Sequence, residues 1–475
     1  MPGLTDVATN PGVGTTTNTW TYDTTAPTVT INQGAGQADP AFTTPIVFDV
    51  VFTESVSDFT ASDVTLTGTA PGTLAKTVTG SGANYEVSVT GMTGAGTVIA
   101  DIAAGVATDA AGNANAASTS TDNTVLYDPS SPTAAITYSP TGPVKTGVSN
   151  LRITATFSEA MADSPAPKIA ISGANILAAT AMTRTDATHY TYAHTVGAGT
   201  GPATVALSIG TDVAGNVITA APTSGATFTV DNTAPAVTIT KKAGQADPTN
   251  TAPILFTVVF SESVADFATG DVTLSGTAGA TTAAVTGTGM NYEVSVTGMT
   301  ASGTVIASIA AGTAHDAAGN PNTVSTSTDN TVAYDVTAPT AAITYSPASP
   351  VKEGASLTIT VTFSEAMADS PAPKIAISGA NTVVATAMTK TDATHYTYTY
   401  MVGAGNGTAT VALSVGTDLA GNPITPTPTS GATFTVEKKE TKPTPGFGLT
   451  EIVAAGAVAL VAIAAVKNKG KKPKK

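Results

Sequence analysis

Carboxylates recur at fixed spacing along this sequence, and they are the residues best suited to chemistry. Each of four segments contains a leading Asp, a Glu 30 or 31 residues later and the Asp of an Asp-x-Ala-Gly-Asn motif. Three carboxylates, with Asn or backbone carbonyls beside them, suit calcium, which accepts roughly six to eight oxygens in flexible geometry. Magnesium fits less well, since it prefers fewer protein ligands and more water. The four candidate sets are Asp23, Glu54 and Asp109; Asp128, Glu159 and Asp212; Asp231, Glu262 and Asp316; and Asp335, Glu365 and Asp418.

The Glu of each set is the most informative residue, because it follows an inward-facing Phe by two positions and shares its direction in a strand. A carboxylate aimed at a core is costly unless something pairs with it, and Lys and Arg are scarce. The alternative is turn chemistry. Asp, Gly and Asn are common in tight turns, and an Asp before Thr-x-Pro is an ordinary linker. Calcium binding that stiffens each joint and plain turn formation therefore both remain open.

Residues of the usual catalytic types are few. Two of the four histidines, His189 and His395, occupy equivalent Thr-His-Tyr-Thr-Tyr segments, while His194 and His315 have no repeated counterpart. All four are predicted to be surface or strand residues. The sequence has no nucleophile elbow, phosphate loop or His-rich metal motif. The acids repeat at every segment instead of gathering in one pocket, so we predict that this chain is not an enzyme.

One strand in each segment has an apolar residue at every second position, with polar residues between them most plainly at 358–364, which predicts a half-buried β-strand. Its apolar residues are expected to face the core, and its Thr and Ser residues to face solvent. The predicted core residues are Ile46, Phe48, Val50 and Phe52; Leu151, Ile153, Ala155 and Phe157; Ile254, Phe256, Val258 and Phe260; and Leu357, Ile359, Val361 and Phe363.

The leading aspartates lie 103 to 105 residues apart, a common length for one β-sandwich domain. Shared segments such as Gly36-Gln-Ala-Asp-Pro40 and Gly244-Gln-Ala-Asp-Pro248 divide the repeats into two alternating types, A and B. We predict a remnant of a preceding domain at 1–22, type A domains at 23–127 and 231–334, type B domains at 128–230 and 335–436, a spacer at 437–448, a hydrophobic helix at 449–466 and a basic tail at 467–475.

The first repeat is predicted to contain seven short strands, separated by clusters of Gly, Pro, Asn and Asp. They are expected near 28–31, 46–53, 63–67, 75–79, 84–90, 96–102 and 124–127. This count and the lack of helical periodicity predict an all-β fold of four tandem immunoglobulin-like sandwiches in an extended rod, with a C-terminal hydrophobic helix. The chain has no Cys, so no disulfide can stabilise the domains. Its net charge of −14 argues against nucleic-acid binding.

The body of the chain resembles the tandem bacterial immunoglobulin-like (Big) domains of surface proteins and adhesins. The residues that carry the resemblance are Asp231-Asn-Thr-Ala-Pro235, Phe260-Ser-Glu262, Asp271-Val-Thr-Leu274, Asp316-Ala-Ala-Gly-Asn320 and their counterparts. The resemblance covers residues 23–436 and implies structural spacers or binding modules on a cell surface.

The last 35 residues have a different composition. Thr444-Pro-Gly-Phe-Gly448 precedes an apolar run that ends in a lysine cluster. From Leu449 the run spans about 27 Å as a helix, marginal for a membrane of about 30 Å. The order of parts resembles the archaeal PGF-CTERM sorting signal, with Pro445, Gly446 and Phe447 as the motif. That resemblance implies removal of the helix by an archaeosortase and attachment to a lipid; a retained membrane anchor is the alternative.

These observations predict a non-catalytic structural or stalk protein on the extracellular face of the cell envelope, anchored at its C-terminus and possibly part of a surface layer. Self-association or contact with other surface proteins would then be expected. The alternative is the membrane-proximal stalk of an adhesin or surface enzyme whose active domain lies further toward the N-terminus. Asn406 begins an Asn-Gly-Thr sequon and is a candidate glycosylation site.

Overall fold

Apolar residues at every second position direct one face of each strand into a core. In the computed structural model of this protein, which describes residues 20–440, all the predicted inward residues of the four alternating strands are at most 4% exposed. The four inward side chains of each strand thus lie at the centre of a sandwich. The prediction that these residues form the core is confirmed.

The first and third repeats form two three-stranded antiparallel sheets each, with strand orders β1-β2-β4 and β3-β5-β6 in the first and β15-β16-β18 and β17-β19-β20 in the third. The strands of the first repeat are β1 (Val29–Gln33), β2 (Ile46–Val56), β3 (Val64–Gly68), β4 (Gly72–Met92), β5 (Gly96–Ile102) and β6 (Thr124–Tyr127). Those of the third are β15 (Val237–Lys241), β16 (Ile254–Val264), β17 (Val272–Ser275), β18 (Thr282–Thr297), β19 (Gly303–Ile309) and β20 (Thr331–Tyr334).

The second and fourth repeats have larger sheets, ordered β11-β12-β8-β7 and β10-β9-β13-β14 in the second, and β21-β23-β27-β26 and β22-β29-β28-β24-β25 in the fourth. The second contains β7 (Ala134–Ser139), β8 (Leu151–Phe157), β9 (Lys168–Gly173), β10 (Leu177–Ala181), β11 (Thr183–Arg184), β12 (His189–His194), β13 (Gly201–Ser208) and β14 (Thr227–Val230). The fourth contains β21 (Ala341–Ser346), β22 (Val351–Lys352), β23 (Ser356–Phe363), β24 (Lys374–Gly379), β25 (Val383–Ala387), β26 (Thr389–Lys390), β27 (His395–Met401), β28 (Gly407–Ser414) and β29 (Thr433–Glu437).

The predicted strands of the first repeat agree with the structure except at β4. The strands expected at 75–79 and 84–90 lie in this one continuous stretch, which folds back on itself. A Cβ added at Gly72 would lie 2.2 Å from the Gly91 carbonyl oxygen, and one added at Gly80 would lie 2.4 Å from that of Asn84. The hairpin was predicted as two strands because its glycines read as loop residues.

By compactness the chain divides into two units. The first contains the residues up to Gln245 together with Ala252–Thr300 and Thr304–Val332, and the second contains Ala246–Thr251, Ala301–Gly303 and the residues from Ala333 on. The first unit therefore holds the first two repeats and most of the third.

Helix is almost absent from residues 20–440, where two three-residue 3-10 turns occur, at Ala61–Asp63 and Thr269–Asp271. Within these residues no helix is long and apolar enough to cross a membrane. The predicted helix at 449–466, the basic tail at 467–475 and the sorting residues Pro445, Gly446 and Phe447 lie outside the described residues, as does most of the predicted remnant at 1–22.

The buried Asn115 fixes the loop that leads into the motif Asp of the first repeat. Its Oδ1 accepts hydrogen bonds from the Val106 and Ala107 N–H groups, both at 2.9 Å, and its Nδ2 donates to the carbonyls of Ala103 and Ala116. We expect Asn115→Ala to lower the unfolding free energy of this domain by about 2 kcal/mol, because it leaves buried backbone groups without partners. Calorimetry of the full chain checks this, with the exposed Asn150→Ala as control; equal effects of the two changes would contradict it.

Candidate metal centres

The predicted acids come together in all four repeats. In each set every residue offers one carboxylate oxygen, and these oxygens lie within 4.8 Å of one another. Two oxygens that ligate the same calcium ion at about 2.3 to 2.6 Å can be no more than about 5 Å apart, so each set has a suitable spacing. The four convergent sets are Asp23, Glu54 and Asp109; Asp128, Glu159 and Asp212; Asp231, Glu262 and Asp316; and Asp335, Glu365 and Asp418.

A tight turn holds the motif Asp in place. In the second domain, Asp212 Oδ1 accepts hydrogen bonds from the N–H groups of Gly215 at 2.6 Å and Asn216 at 2.8 Å. Its Oδ2 accepts a third from Asn216 Nδ2 at 2.8 Å. Each carboxylate oxygen has about two lone-pair sites, so Oδ2 keeps one that can bind an ion. Turn chemistry accounts for the position of this Asp.

The motif Asn joins the turn to the leading Asp. Asn216 Nδ2 also donates to the Asp128 backbone carbonyl at 2.8 Å. The same bond recurs in the other domains as Asn113 to Asp23, Asn320 to Asp231 and Asn422 to Asp335, at 3.1, 2.9 and 2.8 Å. Sequence reasoning considered Asn as an oxygen donor beside the carboxylates and did not predict this bond, although the repetition of the Asn in every motif was the available signal. They set the distance between the two aspartates of each cluster.

Turn chemistry does not account for the Glu. Among residues 20–440, no group donates a hydrogen bond to the carboxylate of Glu54 or Glu262, and the ion pairs in this range involve other acids. Glu159 and Glu365 share hydrogen bonds only with the leading Asp of their own cluster, a second carboxyl group. A half-buried carboxylate that faces two others needs a proton or a cation to be stable.

The pKa shifts have the signs that such crowding requires. Burial raises the pKa of Glu159 to about 7, and the negative charges of Asp128 and Asp212 add to the effect. Burial and the two neighbouring aspartates also raise the pKa values of Glu54, Glu262 and Glu365. In contrast, the hydrogen bond from the Asn113 side chain lowers the pKa of Asp109. In each cluster the Glu is therefore an acid whose pKa is raised by burial and by its two acidic neighbours.

This shift predicts a pH dependence for the second domain. The folded-state pKa of Glu159 is raised from 4.5 to about 7, so its contribution is fully present below pH 4.5 and is lost as pH rises through about 7. In calcium-free solution we expect the unfolding free energy to fall across this window, and Glu159→Gln to remove that part of the slope. Urea unfolding of the full chain, followed by a fluorophore on Thr204→Cys in the second domain, measures it. Glu54→Gln in the first domain is the control, and a slope unchanged by Glu159→Gln would contradict the prediction.

The histidines do not form a catalytic arrangement within the described residues. His189, His315 and His395 each place Nδ1 2.8 or 2.9 Å from an aspartate on the surface. His194 lies on strand β12 as predicted, but it is buried, and its Nε2 contacts Asn175 Oδ1 at 2.9 Å. Burial lowers its pKa. Asn406 is exposed in the loop before β28, as a glycosylation site requires.

Comparisons with known proteins identify two segments of the chain. Residues 23–126 and 231–334 match the family model described as "Bacterial Ig-like domain". The chain carries bacterial Ig-like domains in tandem. The matched ranges are the two type A repeats, so the Ig-like prediction is confirmed there, and the strands of residues 20–440 confirm the all-β fold class.

Solved structures with similar folds include the Escherichia coli adhesin FdeC, at 17% identity and a TM-score of 0.31, covering 64% of this chain and 96% of that one. A tetra-tandem repeat from the extending region of a large adhesion protein has 17% identity and a TM-score of 0.29, covering 87% and 100%. Domains A168–A170 of titin have 13% identity and a TM-score of 0.24, covering 64% and 100%. A comparison with curated proteins gives no match.

Proposed function

We propose that this chain is a non-catalytic stalk or structural protein of the cell surface, and that calcium bound by the four acidic clusters stiffens the joints between its domains. The observation that carries the proposal is the unsatisfied Glu of each cluster. The carboxylate of Asp212 accepts three hydrogen bonds and those of Asp109 and Asp418 accept two each, whereas Glu54 and Glu262 accept none from the described residues. A bound cation would give the Glu carboxylate the positively charged partner that the motif turn does not provide.

The position of each cluster supports a mechanical role. The leading Asp belongs to the segment that enters the domain, and the motif Asn binds its backbone carbonyl. An ion ligated by Asp128, Glu159 and Asp212 would connect the segment that enters the second domain to the end of strand β8 and to the motif turn. Neutralising three carboxylates removes their mutual repulsion at the point where one domain follows another.

Terbium, which replaces calcium at oxygen sites, tests the proposal at a single cluster. Trp20 is the one Trp of the chain, and Thr21 beside it lines a cleft of about 530 Å³ together with Asp23, Glu54 and Asp109. Excitation of Trp20 should therefore sensitise terbium bound at this first cluster. We expect calcium to compete for the signal. Glu54→Gln should abolish it, while the matched Glu262→Gln should leave it unchanged; emission that survives Glu54→Gln would refute binding at this cluster.

We further propose that the C-terminal segment anchors the protein on the extracellular face of the envelope, either as a retained helix or, after archaeosortase processing, through a lipid. The composition of residues 444–475 supports this proposal. Mass spectrometry of the mature protein distinguishes the two forms, because processing removes the lysine cluster. Self-association into a surface layer belongs to the same proposal, and imaging of the native cell surface for a lattice tests it.

A further inference from the structure

One position in each of the first three domains contacts the motif turn of the domain that follows. It is the residue directly after a parallel bridge to the last strand of its own domain, a bridge formed by Ala41 with Tyr127 and by Val144 with Val230. The next residues are Phe42 and Lys145. The first two joints both lie within the first compact unit, so the two contacts can be compared directly.

At the first joint the contact is apolar. A Cβ added at Gly215 would lie 2.8 Å from Phe42 Cε1, so the ring packs on the glycine backbone of the motif turn of the second domain. Gly215 has a φ of +108°, which glycine adopts most easily, and any larger residue there would strike the ring. Phe42 is still 44% exposed, and this packing gives a reason for a large aromatic residue at the surface.

At the second joint the contact is a hydrogen bond from a charged side chain. Lys145 Nζ donates a hydrogen bond to the Gly319 carbonyl oxygen in the motif turn of the third domain. That turn also holds Asp316, one of the three acids of its cluster. Lys145 therefore places a positive charge against an acidic turn. At the equivalent position of the first joint, Phe42 places an aromatic ring against the turn.

Backbone hydrogen bonds connect both contacts to the clusters in the same way. The N–H of Asp128 donates to the Ala41 carbonyl at 2.8 Å, and that of Asp231 donates to the Val144 carbonyl at 2.9 Å. The motif asparagines then bind the carbonyls of these same aspartates. The framework is thus constant from joint to joint, and only the side chain that follows it changes. Inside the second compact unit, Asn250 at the equivalent position donates its N–H to the Ala420 carbonyl at 3.2 Å.

We propose that this position is a docking residue that sets the physical character of each joint: Phe42 gives the first joint a contact that salt does not weaken, and Lys145 gives the second joint a contact that salt weakens. The charge–carbonyl contact of Lys145 and its attraction to the acidic turn weaken when ions screen them. The packing of Phe42 has no charge to screen and is slightly strengthened by salting-out ions. The difference holds without calcium, so it does not depend on the function proposed above.

Spin-label distances across the two joints of the full chain test this inference. The chain has no Cys, so pairs can be introduced freely. Thr65 and Thr273 are exposed at equivalent places in the first and third domains, and Thr204 is exposed in the second. The pair Thr65→Cys with Thr204→Cys reports the first joint, and Thr204→Cys with Thr273→Cys reports the second. Both are measured with a chelator present, from about 0.01 M to about 1 M salt, over which the Debye length falls from about 30 to about 3 Å.

We expect the distance distribution of the second joint to broaden about twofold over this range, and that of the first to change less, because screening of the acidic cluster acts on both joints and loss of a lysine contact acts on the second. Lys145→Phe should remove the excess response and Phe42→Lys should create one. Lys145→Arg keeps the charge and should keep the excess response, while Lys145→Met removes the charge with little change in size and serves if Lys145→Phe does not fold. Equal salt responses at the two joints, or an excess response that survives loss of the Lys145 charge, would overturn the inference.

Discussion

Asn216→Asp is expected to destabilise the second domain by about 4 kcal/mol in calcium-free solution. The change is nearly isosteric, but it removes both donations of Asn216 Nδ2, to Asp212 Oδ2 and to the Asp128 carbonyl. It also places a fourth carboxylate against three others. Loss of a buried hydrogen-bonded pair costs about 1 to 3 kcal/mol, and an uncompensated charge in a half-buried site adds to it.

Urea unfolding of the full chain, read from a fluorophore on Thr204→Cys, measures the effect in the second domain alone. Asn150→Asp, at an exposed turn, adds the same charge without touching a cluster and should change the unfolding free energy by less than about 0.5 kcal/mol. Calcium should recover part of the loss in Asn216→Asp, because the new carboxylate adds an oxygen ligand. A loss no larger than that of Asn150→Asp would mean that the motif Asn does not position the cluster.

Calcium is expected to raise the unfolding free energy of each domain by about 2.7 kcal/mol when its free concentration is about 100 times the dissociation constant. For domains of about 100 residues this corresponds to a rise in melting temperature of roughly 10 °C or more. Such an ion would bind only the folded state, since the first and last acids of a cluster are 83 to 86 residues apart in sequence and converge through folding.

The matched control replaces the four cluster glutamates by glutamine: Glu54→Gln, Glu159→Gln, Glu262→Gln and Glu365→Gln. This variant keeps the motif turns and every hydrogen bond of the motif asparagines, so its calcium-free domains should fold. Calorimetry with calcium, magnesium or chelator should show a large calcium shift in the parent chain, a smaller magnesium shift, and neither in the variant. Equal calcium shifts in parent and variant would place the effect elsewhere, and no shift in either would leave turn formation as the whole role of the acids.

The predictable part of the fold rests on periodicity. Alternation at Phe48, Val50 and Phe52 identified the inner face because a strand has a side-chain period of two. Glu54 follows Phe52 by two positions, so the same period predicted that its side chain points to the same side as Phe52, toward the cluster. The convergence of three acids then followed from a sandwich, in which the incoming segment and two loops lie at one end. The alternation pattern and the sandwich topology together were sufficient to predict which carboxylates converge.

The unpredicted part rests on partners far apart in sequence. Asn216 binds a carbonyl 88 residues earlier, and no pattern near Asn216 names that partner. Phe42 reads in the sequence as an apolar residue in a loop, and only the position of Gly215 explains it. His194 is buried because its strand passes beside Asn175, whereas its counterpart in the fourth domain is Tyr400. Side-chain amides and loop residues take their roles from tertiary neighbours.

Each joint combines a variable docking residue with a constant motif turn. This arrangement affects how domains can be added to such a chain by duplication. The variable residue lies in the upstream domain, and the downstream domain always supplies the same Asp-x-Ala-Gly-Asn turn. Copying a pair of domains therefore creates a junction whose two halves already match. The fourth domain carries Lys352 where the second carries Lys145, as inheritance from such a copy would leave it. By the inference above, a single substitution of the docking residue would thus change the character of one joint and leave the motif turn of the downstream domain unchanged.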